Sequence, residues 1–229
     1  MTDLANKTAL VTGASRGMGR AAALALAAAG ARVIVHYGRG ADEAKAVVDQ
    51  IRSAGGRADA LAADLSAADG AHTLAAQVRN LVGEQLDIIV ANAGISKAAT
   101  IEETTVEDLD KLYAVNVRAP YFLVQQLLPA LGNGASIILV SSLGAHAVVG
   151  QLSAYSATKG AIATLVKHFA SALGPRGIRV NAVAPGSNRH RHVKLCQDRG
   201  RSGRHSWDAG TQADRSACGR WPGRRFSGL

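Results

Sequence analysis

A chain of 229 residues, 48% of them hydrophobic, is long enough for one α/β domain with a substantial core and too apolar for an intrinsically disordered protein. No apolar run reaches the roughly 18 residues of a membrane helix, and residues 1–7 carry no hydrophobic signal region, so the expected compartment is the cytoplasm. The net charge of +9 points at first to nucleic acid, but residues 187–229 hold ten Lys/Arg against three Asp/Glu, which leaves residues 1–186 close to neutral. Both cysteines, Cys196 and Cys218, also fall in the basic stretch, so no disulfide framework is expected in the rest.

Residues 8–12 (TALVT) have the pattern of a buried strand running into glycines, and residues 20–29 that of an Ala/Leu helix. A second strand follows at 32–36 (RVIVH), then a helix over 42–53 with Ala44, Val47, Val48 and Ile51 on one face. Residues 58–63 are a weaker third strand, 67–81 a helix, and 86–91 (LDIIVA) a fourth strand. The stretch 106–131 reads as a long helical region with a kink or break at Pro120. A fifth strand is predicted at 136–141 (SIILVS), a helix at 153–173 closed by Gly174 and Pro175, and a sixth strand at 179–184 (RVNAVA). Apolar strands separated by helices predict a single α/β domain over 1–186 with a doubly wound parallel sheet. Ligands of such sheets bind at the carboxyl ends of the strands, and every motif below lies at one.

The first strand runs into Thr12-Gly13-Ala14-Ser15-Arg16-Gly17-Met18-Gly19. Glycine allows a tight turn and close approach of backbone to a phosphate, and the helix that follows aims its free N–H groups at the same place. A glycine-rich turn alone is also an ordinary strand-to-helix loop; the strand before it and the helix after it favour a dinucleotide.

The spacing TGxxxGxG, Asp64-Leu65 after the third strand, Asn92-Ala93-Gly94 after the fourth, Asn116, Ser142, Tyr155-Ser156-Ala157-Thr158-Lys159 and Pro185-Gly186 occur in one order. In these features the chain resembles the short-chain dehydrogenase/reductase family, and within it the 3-ketoacyl carrier-protein reductases. The resemblance implies a Rossmann-type domain that interconverts ketones and secondary alcohols with NAD or NADP. It implies that Gly13, Ser15, Arg16, Gly17, Met18 and Gly19 cradle the pyrophosphate and that Asp64 and Leu65 meet the adenine. It further implies that Asn92, Ala93, Gly94, Pro185 and Gly186 line the cofactor. Family members are usually homodimers or homotetramers.

An NAD enzyme usually carries an acidic residue just past the second strand. Here the stretch is His36-Tyr37-Gly38-Arg39, without a carboxylate. Arg16 and Arg39 are placed to face a 2′-phosphate beside Tyr37, and a guanidinium matches phosphate oxygens. NADP(H) is therefore the preferred cofactor, with NAD(H) the alternative; Arg16 and Arg39 as plain solvated charges are the competing reading. His36 is expected to be a strand-end residue.

Tyr155 and Lys159 stand four apart on a helix and share a face. A tyrosine hydroxyl is a poor acid–base catalyst at neutral pH unless a positive charge favours its phenolate, and Lys159 supplies one. The resemblance implies that Tyr155 exchanges the proton with the substrate oxygen, Lys159 also holds the nicotinamide ribose, Ser142 holds the substrate oxygen, and Asn116 keeps a helix irregularity near Lys159. Strand alternation points the adjacent Ser141 elsewhere. No cluster of ligands over 1–186 suggests a metal. Ile95, Ser96, Leu143, His146, Val148, Val149 and Leu152 are expected to wall a mostly apolar pocket for a small-molecule ketone or alcohol.

Residues 187–229, rich in Gly, Arg and Ser, show neither helical periodicity nor a strand-like run, and are expected to be irregular. The family has a lid threonine, two helices and a seventh strand here; the last helix and that strand are expected to be missing. Three readings compete: a basic nucleic-acid arm, a metal site at His190, His192 and Cys196, and a shifted reading frame. A one-base shift admits codons for the lid and an amphipathic helix, so a frameshift is preferred. The function expected is thus an NADP(H)-dependent oxidoreductase, with a catalytically impaired cofactor-binding remnant and a nucleic-acid-binding protein as alternatives.

Overall fold

The computed structural model describes residues 4–83 and 85–186; the expectations for 187–229, with the metal site, nucleic-acid arm and shifted frame, lie outside the described residues. Six parallel strands, β1 (Thr8–Val11), β2 (Arg32–Tyr37), β3 (Arg57–Ala62), β4 (Leu86–Ala91), β5 (Leu131–Val140) and β6 (Arg179–Val183), form one sheet. Their order is β3-β2-β1-β4-β5-β6. The order reverses at β1, which places a crevice between the carboxyl ends of β1 and β4, where such sheets bind ligands. Among the described residues β3 and β6 are the edges.

Side chains alternate across each strand, which builds two cores. Leu10, Ile34, Ile89, Ile137 and Leu139 point to one face and pack with Leu74 and Val78 of α3 (Gly70–Val82), Leu123 and Leu127 of α5 (Ala119–Leu127), and Ile162 of α6 (Ser153–Leu173). Val11, Val33, Val35, Ile88 and Val90 point to the other, against Ala23 of α1 (Gly17–Ala28) and Val47, Val48 and Ile51 of α2 (Ala41–Ser53). Full burial of each large side chain contributes roughly 1.5–3 kcal/mol, so the sheet is a rigid base for the loops at its ends.

Two local expectations are corrected. The helical region 106–131 is interrupted just before Pro120 rather than at it: α4 (Val106–Tyr113) passes through a π-helical turn, Ala114–Arg118, at the irregularity expected around Asn116, into α5. Pro120 sits in the first turn of α5, directly after the widened turn, where a missing N–H costs least. A 3₁₀ turn then ends the helix at Pro129, and β5 starts at Leu131, five residues earlier than its apolar core suggests, with a register shift against β4 between Leu86 and Ile88. No helix among the described residues is long and apolar enough to cross a membrane.

Candidate active site

The glycine turn lies at the carboxyl end of β1 and leads directly into α1. Gly13 (φ 63°) and Gly17 (φ 57°) both adopt the left-handed conformation that glycine tolerates. At Gly19 a Cβ would stand 2.3 Å from the Gly13 carbonyl oxygen and 2.5 Å from Asn92 Nδ2. The start of α1 has no side-chain cap from Arg16 and no acidic residue in its first turn, so its leading N–H groups remain available to an anion. A cradle that a Cβ would fill, opening on an uncapped helix start, fits the pyrophosphate of a dinucleotide. Gly19→Ala is expected to cost roughly 1–3 kcal/mol of stability, because backbone sits where the methyl must go. Thermal unfolding checks this; an unchanged Tm contradicts it.

Neighbouring strands hold the turn. Asn92, just past β4, donates from Nδ2 to the carbonyls of Thr12 (2.9 Å) and Gly13 (3.2 Å). Thr12 Oγ1 accepts from the Ala93 N–H at 2.9 Å. From β2, His36 Nδ1 accepts the Gly13 N–H at 3.1 Å. Burial lowers the His36 ring's pKa, and its bond to the Ala63 carbonyl opposes that only in part.

On the adenosine side, Tyr37 is half-buried at the end of β2, and Arg16 and Arg39 are exposed. Neither arginine forms an ion pair among the described residues. Asp64 is exposed after β3 and accepts from the Ser66 hydroxyl (2.6 Å) and N–H (2.9 Å). Those bonds, with Arg39 and Lys111 adding charge, hold its carboxyl below the usual range. Arg118 braces the same loop, donating to the carbonyls of Ser66 (2.6 Å) and Ala67 (3.0 Å). Leu65 turns its side chain into the core, so it offers this loop backbone only.

At the other end of the crevice, Tyr155 and Lys159 lie on α6, with Lys159 Nζ 5.7 Å from the Tyr155 ring centroid. Lys159 is 4% exposed and donates to the Val140 carbonyl at 2.8 Å. Burial lowers its pKa from 10.5 to about 8. Asn116, in the π turn, accepts from the Ile95 N–H (2.9 Å) and donates to the Ile95 carbonyl (2.9 Å) and Thr158 Oγ1 (3.0 Å). Thr158 in turn donates to the Tyr155 carbonyl at 2.6 Å. Gly94 completes the contact, since a Cβ there would lie 3.2 Å from Asn116 Oδ1 and 3.4 Å from Lys159 Nζ.

Ser142 follows β5 and its hydroxyl accepts from the Gly144 N–H at 3.1 Å. Ser141 points away, as alternation requires, and bonds the Lys159 carbonyl at 3.0 Å. The Pro185 carbonyl accepts from the Leu143 N–H at 3.0 Å, which brings the end of β6, with Gly186 next in sequence, beside Ser142. An open cleft of about 340 Å³ lies next to this group, lined by Gly144, His146, Val148, Ser153 and Ser156 among others. Of the expected wall residues only His146 and Val148 line it. Among the described residues no group of His, Cys, Asp and Glu is placed to hold a metal ion.

Residues 7–195 match the short chain dehydrogenase family. The chain belongs to that family. A hydroxynaphthalene reductase-like protein of Metarhizium majus is 39% identical over 184 residues, which cover 80% of this chain and 68% of the relative. The landomycin C-6 ketoreductase LanV, solved with bound NADP and rabelomycin, is 43% identical with a TM-score of 0.77, covering 81% of this chain and 78% of that one. A short chain dehydrogenase from Burkholderia cenocepacia J2315, solved in complex with NADP, is 42% identical with a TM-score of 0.77 over 80% of this chain and 75% of that one. The protein is accordingly an oxidoreductase of the carbonyl/alcohol type that uses a nicotinamide dinucleotide.

Proposed function

We propose that this short-chain dehydrogenase interconverts a ketone and a secondary alcohol with NADP(H), within a catalytic domain formed by residues 1–186 and with Tyr155 as general acid and base. The observation that carries the reading is the buried Lys159 ammonium under the Tyr155 ring, held by the Val140 carbonyl and bordered by Asn116. When bound, the cofactor supplies or accepts the hydride at the carbonyl carbon.

The rest belongs to the chain's own residues. Ser142 donates a hydrogen bond to the substrate oxygen and fixes its position. Tyr155 gives its hydroxyl proton to that oxygen in reduction and removes it in oxidation. Lys159 stabilises the phenolate left behind. Asn116 and Thr158 fix the backbone of the loop at Ile95 and of α6 at Tyr155, so the reacting groups lose little entropy on alignment.

Residues 13–19 would hold the pyrophosphate, Asp64 and Leu65 the adenine, and Arg16 and Arg39 the 2′-phosphate. NADP bound to two relatives of about this similarity supports that choice. Arg39→Leu is expected to weaken NADPH binding by about 10–100-fold, the range of a charge-assisted hydrogen bond, while NADH binding changes little. Fluorescence titration with both cofactors reads this directly, and equal losses for the two refute the assignment. Because a relative carries the name hydroxynaphthalene reductase-like, a first substrate panel holds fused-ring phenolic ketones beside simple ones. NADPH oxidation by any member tests the activity.

A further inference from the structure

We propose that His36 is a positioning residue that ties the glycine turn after β1 to the loop after β3, so that the pyrophosphate and adenine ends of the site form one frame. The proposal rests on the cofactor reading above. His36 is 2% exposed, and both ring nitrogens are engaged. Nδ1 lies 3.1 Å from the Gly13 N–H, and Nε2 lies 3.1 Å from the Ala63 carbonyl oxygen. A backbone N–H can only donate, so Nδ1 must present its lone pair. The single ring proton therefore sits on Nε2 and is donated to Ala63, the residue before Asp64.

The backbone of His36 adds a third link, because its carbonyl accepts from the Ala14 N–H at 2.9 Å. One residue of β2 thus reaches two consecutive residues of the turn and the end of β3. The next residue repeats the bridge, with the Tyr37 carbonyl accepting from the Ala63 N–H at 3.1 Å. Asn92 grips the carbonyls of Thr12 and Gly13 from the β4 side, and His36 grips the N–H of Gly13 from the β2 side.

Such a clamp matters at this place. Gly13 has a positive φ and no Cβ, so its free backbone would sample many conformations. Fixing it beforehand removes an ordering cost from cofactor binding. A leucine or phenylalanine would fill the same space and provide neither bond. Burial keeps the ring neutral, which is the state that can accept from Gly13.

The test uses the full chain with His36→Phe, His36→Asn and His36→Gln. It reads NADPH Kd by fluorescence, Gly13 amide hydrogen exchange in the cofactor-free protein by NMR, and Tm. His36→Phe is expected to raise Kd about tenfold, equivalent to ~1.4 kcal/mol, and to speed Gly13 exchange. Asn places an acceptor near the Nδ1 position and is expected to regain most of the affinity and protection. Gln reaches toward Ala63 and is expected to regain less. Should His36→Phe fail to fold, the Asn–Gln comparison still decides.

Unchanged Kd and Gly13 exchange in the Phe variant overturn the proposal. So does an affinity that simply follows Tm with no difference between Asn and Gln. A wild-type chain that binds neither NADPH nor NADH overturns the cofactor reading. In that case Gly13 protection that still depends on His36 shows the clamp to be real without its proposed ligand.

Discussion

Tyr155→Phe is expected to lower kcat by about 10²–10⁴-fold, the contribution of a positioned general acid, while leaving NADPH affinity nearly unchanged. The substitution removes one oxygen and keeps the ring that stands 5.7 Å from Lys159 Nζ. The Thr158 hydroxyl bonds the Tyr155 backbone carbonyl, so the local geometry of α6 does not depend on the phenol. A kinetic loss without a binding loss is therefore the signature of the proton-transfer role. Steady-state rates and a fluorescence titration together read it. Retained turnover refutes the role, and a matching loss of NADPH affinity relocates it to binding.

Lys159→Met is expected to move stability and activity in opposite directions. Burial lowers the lysine pKa from 10.5 to about 8, so between those values the unfolded chain holds a proton that the folded one has released. Stability from this group therefore rises as pH climbs from about 8 to about 10.5, and at neutral pH the buried ammonium costs on the order of 3 kcal/mol. Methionine keeps most of the stem and removes the charge, at the loss of the bond to the Val140 carbonyl, about 1 kcal/mol. The variant should melt a few degrees higher than the parent at pH 7, and the gap should close toward pH 10.5. Its turnover should fall at least about 100-fold, because nothing then stabilises the phenolate. Melting curves across pH 7–10.5 check the first part. A variant that is less stable at pH 7, or pH profiles that run parallel, contradicts the account of Lys159 as a strained functional group.

Periodicity located the positions of the expected site residues: Gly13, Asn92 and Ser142 each follow a strand, and Tyr155 and Lys159 share one helix. The strands 8–12 and 86–91 announce the turn at Gly13 and the loop at Asn92, and the spacing of Tyr155 and Lys159 announces a shared helix face. What supports these residues was not legible. Thr158 links Asn116 to Tyr155 across 42 residues, and Arg118 reaches back 52 residues to Ser66. Such bonds leave no mark on local pattern, because a threonine or arginine in a helix reads the same whether it faces water or a buried carbonyl. His36 lies at the strand end as expected, but its ring contacts with the Gly13 N–H and the Ala63 carbonyl were not legible for the same reason.

The helix irregularity had two expected places, Pro120 from composition and Asn116 from the family resemblance, and the structure has it at Asn116. Pro120 is a strong local breaker, but at the first turn of α5 its missing N–H costs little. In the π turn Asn116 bonds Ile95 and Thr158, long-range partners that local pattern does not show. Leu65, expected at the adenine beside Asp64, turns its apolar side chain into the core and leaves its backbone to the loop, a division that sequence pattern does not reveal.

The most direct test of the central claim uses NADPH deuterated at the transferable C4 position of the nicotinamide. The full chain is incubated with the ketone panel, and the products are read by mass spectrometry. The account predicts an alcohol carrying one deuterium on the carbinol carbon with the wild-type chain, formed at least about 100-fold more slowly with Tyr155→Phe. NADPH binding without label transfer to any ketone would contradict it and identify the chain as a cofactor-binding remnant of its family.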